Sequence, residues 1–260
     1  MKTHEKIKTL LEKNEKIAVS ATPFFEISYP TNEFRGFQGG CSDGKRYYYQ
    51  TVMHYDLPTR ERDCCRIAKI DLQTGAVVKW SDTLFLNHAN DMTYHPATNC
   101  LYVCNNKPHA ERISFVEADT LQLLGSYDLP FPIYAIAYNE KSDTFVVGLS
   151  GKREFCFLNG DLTPCDARTY RTAHETDRYV KQGICTDGEL LYFILWDGHH
   201  KAEPDFQNTV AVYDFSGAYR GRLDFNVGVQ EPESIDVAGG RLFAVCGHST
   251  PILYEFKANT

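Results

Sequence analysis

A small set of polar side chains recurs at the starts of short apolar runs along this sequence. Their amide, imidazole and carboxyl groups can hydrogen-bond a polar ligand, and an imidazole or a buried carboxyl can also exchange protons. Because an unpaired buried polar group costs about 1–3 kcal/mol, we expect these groups to face a ligand, a metal, ordered water or one another. The set is Gln38, His88, Asn90, Asp91, Gln182, Glu231 and Glu233.

Two members of this set are candidates for acid–base catalysis. His88 titrates near neutral pH in its unperturbed form, and it lies two residues before Asn90 in the segment LNHAND, so both side chains can point to one side. Glu233 is a candidate general base, an anchor for a cationic group or one half of an internal salt bridge. Asp91 is either a ligand-binding residue or the cap of a tight turn. The remaining amides and Glu231 are predicted to bind the ligand.

Aromatic and basic residues accompany the polar set. Tyr134 stands where the other segments carry polar groups, so it either stacks on a ligand or fills space. Trp196, followed by His199-His200, is either a platform for a sugar or another ring, or a core residue. A second group is predicted either to receive an anion or to be solvated or paired, and comprises Arg153, Arg178 and Lys181.

The elements that position these residues form an internal repeat. Five segments share one layout of strand, tight turn and strand, with the turns SDGK, HPATN, NEKSD, TDGE and AGGR. Aligning them places Gln38, Asn90, Ala135, Gln182 and Glu233 at one position, with spacings of 45 to 52 residues. A third strand follows in each segment and a fourth in all but the last. Repeats of this length are typical of β-propellers.

The predicted fold is therefore all-β, a five-bladed β-propeller of four-stranded antiparallel blades. The strand-like run 18–29 is expected to complete the last blade and close the ring, after a short N-terminal helix over 1–16 that caps the outside. The propeller spans 17–260, with blades at about 33–86, 87–131, 132–178, 179–226 and 227–257 plus 18–29. Residues at the inner strand starts then converge on one funnel around the axis.

Loop lengths indicate which face carries the function. The loops 54–64 and 197–208 are long and lie on the face where the chain enters the inner strands, whereas the hairpins of the opposite face are short. Surface loops on a fixed scaffold are common places for binding residues. We therefore expect the first face to bind the ligand; alternatively, its loops only shield the axis.

Composition and missing motifs exclude several classes. The formal charge of −7 disfavours nucleic-acid binding, and no apolar run is long enough to cross a membrane. Nine cysteines without a framework spacing and an N-terminus without an apolar signal segment predict a cytoplasmic protein, expected to be monomeric. No phosphate-binding glycine loop, nucleophile elbow or zinc motif occurs. The cofactor is unknown, and Ca²⁺ is expected to bind weakly at best because amides outnumber carboxylates.

Three short segments carry a family resemblance. QGGCSD (38–43), HANDMTY (88–94) and EPESID (231–236) resemble bacterial and phage propeller proteins of the helveticin J and teichoic-acid-biosynthesis-protein-C type. That resemblance implies the fold and an association with the cell wall. The Gln38-Gly39 start is also similar to plant-type glutaminyl cyclases, which are five-bladed propellers. Those enzymes carry Gly-Glu-Gly in the second blade, where this chain has Asn90-Asp91-Met92, so Asp91 replaces the expected acid.

Three functions remain open at this point. The first is a binding protein that holds a small polar molecule or a glycan in the funnel. The second is a hydrolase, lyase or cyclase that uses His88 and Glu233 as acid and base. The third is an interaction scaffold, which predicts a flat face with an apolar centre. A further alternative is that the funnel binds no ligand. It is then a water-filled channel whose polar side chains pair with one another.

Overall fold

The computed structural model describes residues 3–55, 62–166, 168–247 and 249–258. Helix α1 (Thr3–Leu11) is followed by twenty strands in this described part, and two single 3-10 turns lie at His174–Thr176 and Gly198–His200. Helix α1 has Ile7 fully buried and contacts the strands of the largest sheet. No helix in these ranges is long and apolar enough to cross a membrane.

Three units of the chain form separate four-stranded antiparallel sheets, each with its strands in sequence order. After β1 (Lys16–Glu26), the first sheet comprises β2 (Gly36–Ser42), β3 (Tyr47–His54), β4 (Cys64–Asp71) and β5 (Val77–Trp80). The second comprises β6 (Asp91–His95), β7 (Cys100–Cys104), β8 (Arg112–Glu117) and β9 (Leu123–Asp128). The third comprises β10 (Ile133–Asn139), β11 (Thr144–Leu149), β12 (Glu154–Asn159) and β13 (Tyr170–Arg171).

The remaining strands form one mixed sheet of eight, in the order β14-β15-β16-β17-β1-β20-β19-β18. Its members besides β1 are β14 (Val180–Thr186), β15 (Leu190–Trp196), β16 (Asn208–Asp214), β17 (Tyr219–Phe225), β18 (Glu231–Ala238), β19 (Arg241–Gly247) and β20 (Pro251–Ala258). The prediction of separate four-stranded units therefore holds for the first three only, because the last two share a sheet.

Strand β1 is the cause of this fusion. From Val19 to Glu26 it pairs antiparallel with β20, as expected for a terminal strand that completes the last unit. Pairing with β20 ends at Ala258, and the earlier residues Lys16–Ala18 instead pair in parallel with β17. They thereby cover an edge of β17 that would otherwise be open. The predicted fourth strand of the third unit is also shorter than expected, since β13 has two residues.

The first strands of the five units form a closed cycle. Neighbours along it are β2, β6, β10, β14 and β18, and β18 contacts β2 again. Apolar clusters fill the space between neighbouring sheets; one joins Tyr49 and Met53 of the first unit to Leu101 and Val103 of the second. Full burial of each such side chain contributes about 1.5–3 kcal/mol. The cycle therefore brings the starts of five distant strands around one axis.

The axis has two distinct ends. At the loop end the chain enters the five first strands, and at the hairpin end tight turns connect them to the second strands. Gly44 and Gly188 occupy left-handed positions (φ +75° and +88°) in two of these turns, which suits glycine. The short polar turns of the sequence therefore lie together at the hairpin end, as their spacing predicts.

Candidate functional site

Bulges at the loop end position four of the predicted site residues. The ladder between the first and second strands shifts register between Phe37 and Gly40, and equivalent shifts occur in the third, fourth and fifth units. An unpaired bulge residue is free to turn its side chain away from the regular alternation of a strand. The residues inside these four shifts are Gln38, Tyr134, Gln182 and Glu233.

Gln38 and Glu233 bind each other across the boundary between the first and last units. Gln38 Nε2 donates to Glu233 Oε1 at 3.2 Å and to Tyr55 Oη at 3.4 Å. Both side chains are buried. Burial, and then the charge of nearby Glu231, raise the pKa of Glu233 well above its usual value, while the hydrogen bond from Gln38 opposes this. Burial therefore favours the protonated form of the Glu233 carboxyl.

A second pair lies beside the first. Gln182 Nε2 donates to Glu231 Oε1 at 2.7 Å, which joins the fourth unit to the fifth. Glu231 is only partly buried, whereas Gln182 is buried. Two glutamine amides, from the first and fourth units, thus donate to two glutamates of the fifth unit that lies between them.

Asn90 closes the other side of the loop end. Its Nδ2 donates to the main-chain carbonyl of Tyr134 at 2.7 Å, and its Oδ1 accepts from Asn106 Nδ2 at 2.8 Å. The preceding Ala89 has φ +44°, a conformation that is strained for alanine. This backbone turn directs Asn90 across the boundary between the second and third units.

Asp91 lies inside the axis and holds three units together. Its Oδ2 accepts the main-chain N–H groups of Ile136 (3.0 Å) and Ile184 (3.1 Å), which belong to the third and fourth units. The interpretation of Asp91 as the cap of a tight turn is therefore wrong, since its partners lie 45 and 93 residues away. Burial raises the pKa of Asp91 well above its usual value. Its Oδ1 has no hydrogen-bond partner within the described chain.

Small residues leave room for Asp91. A Cβ at Gly39 would lie 2.5 Å from the Asp91 Cα, and a Cβ at Gly183 would lie 3.1 Å from the Asp91 Oδ1. The two Gln-Gly pairs of the sequence, Gln38-Gly39 and Gln182-Gly183, therefore supply a polar side chain and the space for the carboxylate next to it.

An aromatic and basic group lies beside the axis at the loop end. The Lys181 ammonium is 5.0 Å from the centre of the Tyr134 ring, and the Tyr134 hydroxyl is buried without a partner among the described residues. Burial, and then the Arg153 guanidinium, lower the pKa of Lys181 to about 8. Trp196 is half-buried, with Lys201 4.7 Å above its ring. The roles of Tyr134 and Trp196 as ligand platforms stay predictions.

His88 is connected to Glu233 through two other side chains, those of Tyr55 and Gln38. Its ring stacks on Tyr55 at 5.7 Å between centroids, and its Nδ1 lies 4.0 Å from Asp63 Oδ2. Tyr55 in turn contacts Gln38, which contacts Glu233. Sequence reasoning missed Tyr55 and Asp63, although both belong to the long loop 54–64 that it singled out. Residues 56–61 of that loop lie outside the described residues.

The second long loop is anchored by a carboxylate that sequence reasoning also missed. The buried carboxylate of Asp197 accepts hydrogen bonds from Nε and a terminal nitrogen of Arg178. It also bonds to His200 Nδ1 at 2.8 Å and accepts the Gln207 N–H at 3.0 Å. Arg178 is therefore paired with a carboxylate, which agrees with the predicted alternative to an anion-binding role. The loop 197–208 is fixed from within by this cluster.

A cavity of about 300 Å³ lies at the hairpin end, opposite the face that the loop lengths indicated. Among its lining residues is Asp236, which is partly accessible although it lies deep along the axis. Asp236 accepts the N–H groups of Ser42 and Val237, and burial raises its pKa to about 7. Other walls are formed by Thr93, Tyr94, Tyr138 and Thr186. No local pattern in the sequence indicates this cavity, because its lining residues come from the turns and strand ends of all five units.

The described chain contains no group of three or more His, Cys, Asp or Glu side chains arranged to hold a metal ion. All nine cysteines are free, and Cys165 alone among them is exposed. The clustered chemistry at the loop end is therefore hydrogen bonding by amides and carboxyls, among them the buried Glu233.

Comparisons with known proteins identify the fold type but no family. No protein-family model and no curated protein sequence matches the chain. The glutaminyl cyclase of Myxococcus xanthus is similar in structure, with a TM-score of 0.62 at 11% identity over 95% of this chain and 100% of that one. A luciferin-regenerating enzyme has a TM-score of 0.53 at 11% identity over 87% of this chain and 92% of its own. A streptogramin B lyase gives 0.51 at 10% identity over 93% and 98%. These neighbours are β-propeller-type folds, and the likeness concerns the fold alone.

Proposed function

We propose that this chain is a five-bladed β-propeller that binds a small polar molecule or a glycan at its loop end. The closed cycle of five first strands supports the blade count, and strand β1 explains why the last two blades share a sheet. The short motifs resembling helveticin J and teichoic-acid-biosynthesis-protein-C proteins agree with this fold; membership of that group remains part of the proposal.

One observation carries the binding function. The buried carboxyl of Glu233 meets the amide of Gln38, next to the bonded pair of Gln182 and Glu231. Together these amide and carboxyl groups offer both donors and acceptors in one place. Hydroxyl and amide groups of a ligand present the same mixture, so they can replace these bonds without leaving a buried group unpaired.

The surroundings favour a neutral ligand with a ring or a carbon face. The Tyr134 hydroxyl and the Trp196 Nε1 are buried polar atoms without partners in the described chain, and a ligand acceptor or bridging water would satisfy them. The polar character of this end favours a ligand over a scaffold function, which would need an apolar centre. Monomeric state and cytoplasmic location remain parts of the proposal; the eight buried free cysteines agree with a reducing compartment.

Calorimetry and thermal shift with a panel of monosaccharides, polyols and amino-acid amides test this proposal. We expect at least one compound to bind, and Glu233→Ala and Gln182→Ala to weaken it about tenfold or more, because each removes a hydrogen-bonding side chain. Glu140→Ala, at an exposed glutamate of the hairpin end, is the matched control and should bind as the unmodified protein does. No binding across the panel, or unchanged binding by Glu233→Ala, would refute the proposal.

The second candidate is an enzyme that uses Glu233 as its general acid, in a hydrolase, lyase or cyclase reaction. The raised pKa of Glu233 favours it, since catalytic carboxyls need a proton at working pH. His88, next to buried Asp63, is then the second proton-transfer group, acting through Tyr55. Peptides with N-terminal glutamine are one substrate class to test. Ammonia release that is lost in Glu233→Gln, and not in Glu140→Gln, would establish turnover; binding without product formation would exclude it.

A further inference from the structure

The cavity at the hairpin end is a second place on the axis where a ligand fits. Its volume of about 300 Å³ is at the lower end of small-molecule sites. It opens between the turns of several units, away from the Gln38–Glu233 pair. Its floor and walls come from the ends of first strands and the turns that follow them.

The floor of the cavity carries a carboxyl group, that of Asp236, with unused acceptor capacity. Each oxygen of Asp236 accepts one main-chain N–H, from Ser42 and from Val237. A carboxylate oxygen has two lone pairs, so each oxygen retains one acceptor site. Asp236 is partly accessible, and the cavity is the space that it lines. A donor entering from the hairpin end can therefore reach it.

The surroundings of Asp236 favour a positive charge in the cavity. Besides Asp236, three acidic residues and two lysines line the cavity, so acidic side chains outnumber basic ones there: Asp43, Glu140 and Asp187 against Lys45 and Lys141. The rings of Tyr94 and Tyr138 form part of the wall, and aromatic faces attract cations. At the rim, Lys141 is engaged by Glu189 at 3.2 Å, which leaves its charge compensated.

We propose that the hairpin-end cavity binds a small organic cation, a primary ammonium compound, whose charged nitrogen pairs with Asp236 and whose carbon chain lies against Tyr94 and Tyr138. An ammonium group supplies the donors that the two free acceptor sites of Asp236 can use. An organic cation fits better than a metal ion, because no group of three or more acidic, His or Cys residues is arranged as a metal site in the described ranges. This site is independent of the one proposed for the loop end.

Binding is expected to be linked to proton release. Burial raises the pKa of Asp236 to about 7, so the free protein carries a proton there at pH 6. A bound ammonium group favours the ionised form and displaces that proton. The titratable groups that share the interior with Asp236 are Cys41, Asp43, Tyr48, Asp91 and Cys185. Affinity should therefore rise as pH increases from 6 to 8.

The test compares amines with uncharged counterparts of equal size. Butylamine and phenethylamine are titrated by calorimetry against butanol and phenethyl alcohol, at pH 6 and pH 8, in two buffers of different ionisation enthalpy. We expect the amines to bind at least tenfold tighter than the alcohols, with proton release at pH 6. Asp236→Asn, which keeps an oxygen for the Ser42 N–H, should weaken amine binding about thirtyfold or more.

Two variants separate this site from the loop end and from general charge effects. Glu233→Ala should leave amine binding unchanged, even if it abolishes binding of neutral ligands. Glu140→Gln removes one negative charge at the rim and should change amine affinity less than threefold. Equal binding of amines and alcohols, amine binding that survives in Asp236→Asn, or Ca²⁺ that binds in place of every amine would overturn the proposal. So would no binding of any amine at millimolar concentration.

Discussion

The two ends of the axis use their polar side chains in opposite ways. At the loop end, side chains bind across unit boundaries, as Gln38 does to Glu233 and Gln182 to Glu231. At the hairpin end, carboxylates of the turns bind their own turns: Asp43 accepts three N–H groups of the segment that follows it, and Asp187 accepts two.

This difference explains why one end is filled and the other is hollow. Side chains that reach inward to partners in neighbouring units occupy the axis, whereas side chains that fold back onto their turns leave its centre open. A ligand at the loop end must replace bonds between protein groups, while a ligand at the hairpin end enters an existing cavity. Asp91 lies between the two regions and joins three units.

The largest expected effect concerns this junction. Asp91→Ala leaves the N–H groups of Ile136 and Ile184 without their acceptor, and we expect the free energy of unfolding to fall by about 3–5 kcal/mol. Urea denaturation measures the loss. Asp91→Asn keeps a carbonyl oxygen as acceptor, so its free energy of unfolding should fall less. Asp166→Ala, at the surface, is the control, and its free energy of unfolding should change little. Stability of Asp91→Ala within about 1 kcal/mol of the unmodified protein would show that Asp91 does not join the two ends.

The next effect is a pH dependence at the hairpin end. Burial raises the pKa of Asp236 from 3.8 to about 7, so between these values the folded protein holds a proton that the unfolded chain releases. Its contribution to stability is therefore present at low pH and is lost as pH rises toward 7. Asp236→Asn should be more stable than the unmodified protein at pH 8, by roughly 1–3 kcal/mol, and similar at pH 4.

Thermal or urea unfolding at several pH values measures this difference. Asp43→Asn, at the rim of the same cavity, keeps its turn-capping oxygen and is the control. A constant difference between Asp236→Asn and the unmodified protein from pH 4 to pH 8 would contradict an interior location of the proton.

A smaller effect tests whether the loop end is held by pairwise bonds across units. A double-mutant cycle of Gln38→Ala and Glu233→Ala should give a coupling energy of about 1 kcal/mol in urea denaturation. In the control cycle, Gln38→Ala is combined with Arg220→Ala, which changes an exposed residue bonded to Asp214. The two losses of stability should be additive there. If both cycles are additive, the Gln38–Glu233 bond does not stabilise the loop end, and the contrast between the ends weakens.

The smallest effect concerns a hydroxyl without a partner. Tyr134→Phe removes a buried Oη that bonds to nothing in the described chain, so we expect stability to change by no more than about 0.5 kcal/mol, toward stabilisation. Tyr254→Phe is the matched comparison, since its hydroxyl donates to Gln230 Oε1 at 2.8 Å and its loss should cost about 1 kcal/mol. Equal losses in both variants would indicate that the Tyr134 hydroxyl has a structural partner.

Much of the scaffold was predictable, because its signals are local. Hairpin turns such as SDGK and TDGE identify themselves by residue type, and their regular spacing indicates a repeat of similar sheets. The use of an N-terminal strand to complete the last unit follows from its missing fourth strand. The parallel pairing of Lys16–Ala18 with β17 was not predictable, since it depends on where β20 ends in space.

The site residues were predictable in type and only partly in role. The alignment of repeats selects Gln38, Gln182 and Glu233, but not the partner that each one binds. From the sequence, Asp91 was predicted either to bind a ligand or to cap a turn. Two of its observed partners are main-chain N–H groups 45 and 93 residues away, and no local pattern in the sequence indicates them. Tyr55 and Asp63 carried no periodic signal that would distinguish them from other loop residues.

By itself, the sequence determined that a series of similar segments repeats along the chain, and that most of them carry polar residues at the starts of their first strands. Turn chemistry and the alternation of apolar residues act over a few positions, and the sequence records them directly. The tertiary structure alone decided that four of those starts are bulged, that Asp91 joins three units, and that a cavity remains around Asp236. These features depend on distances between separate units, and the register and closure of the ring set those distances.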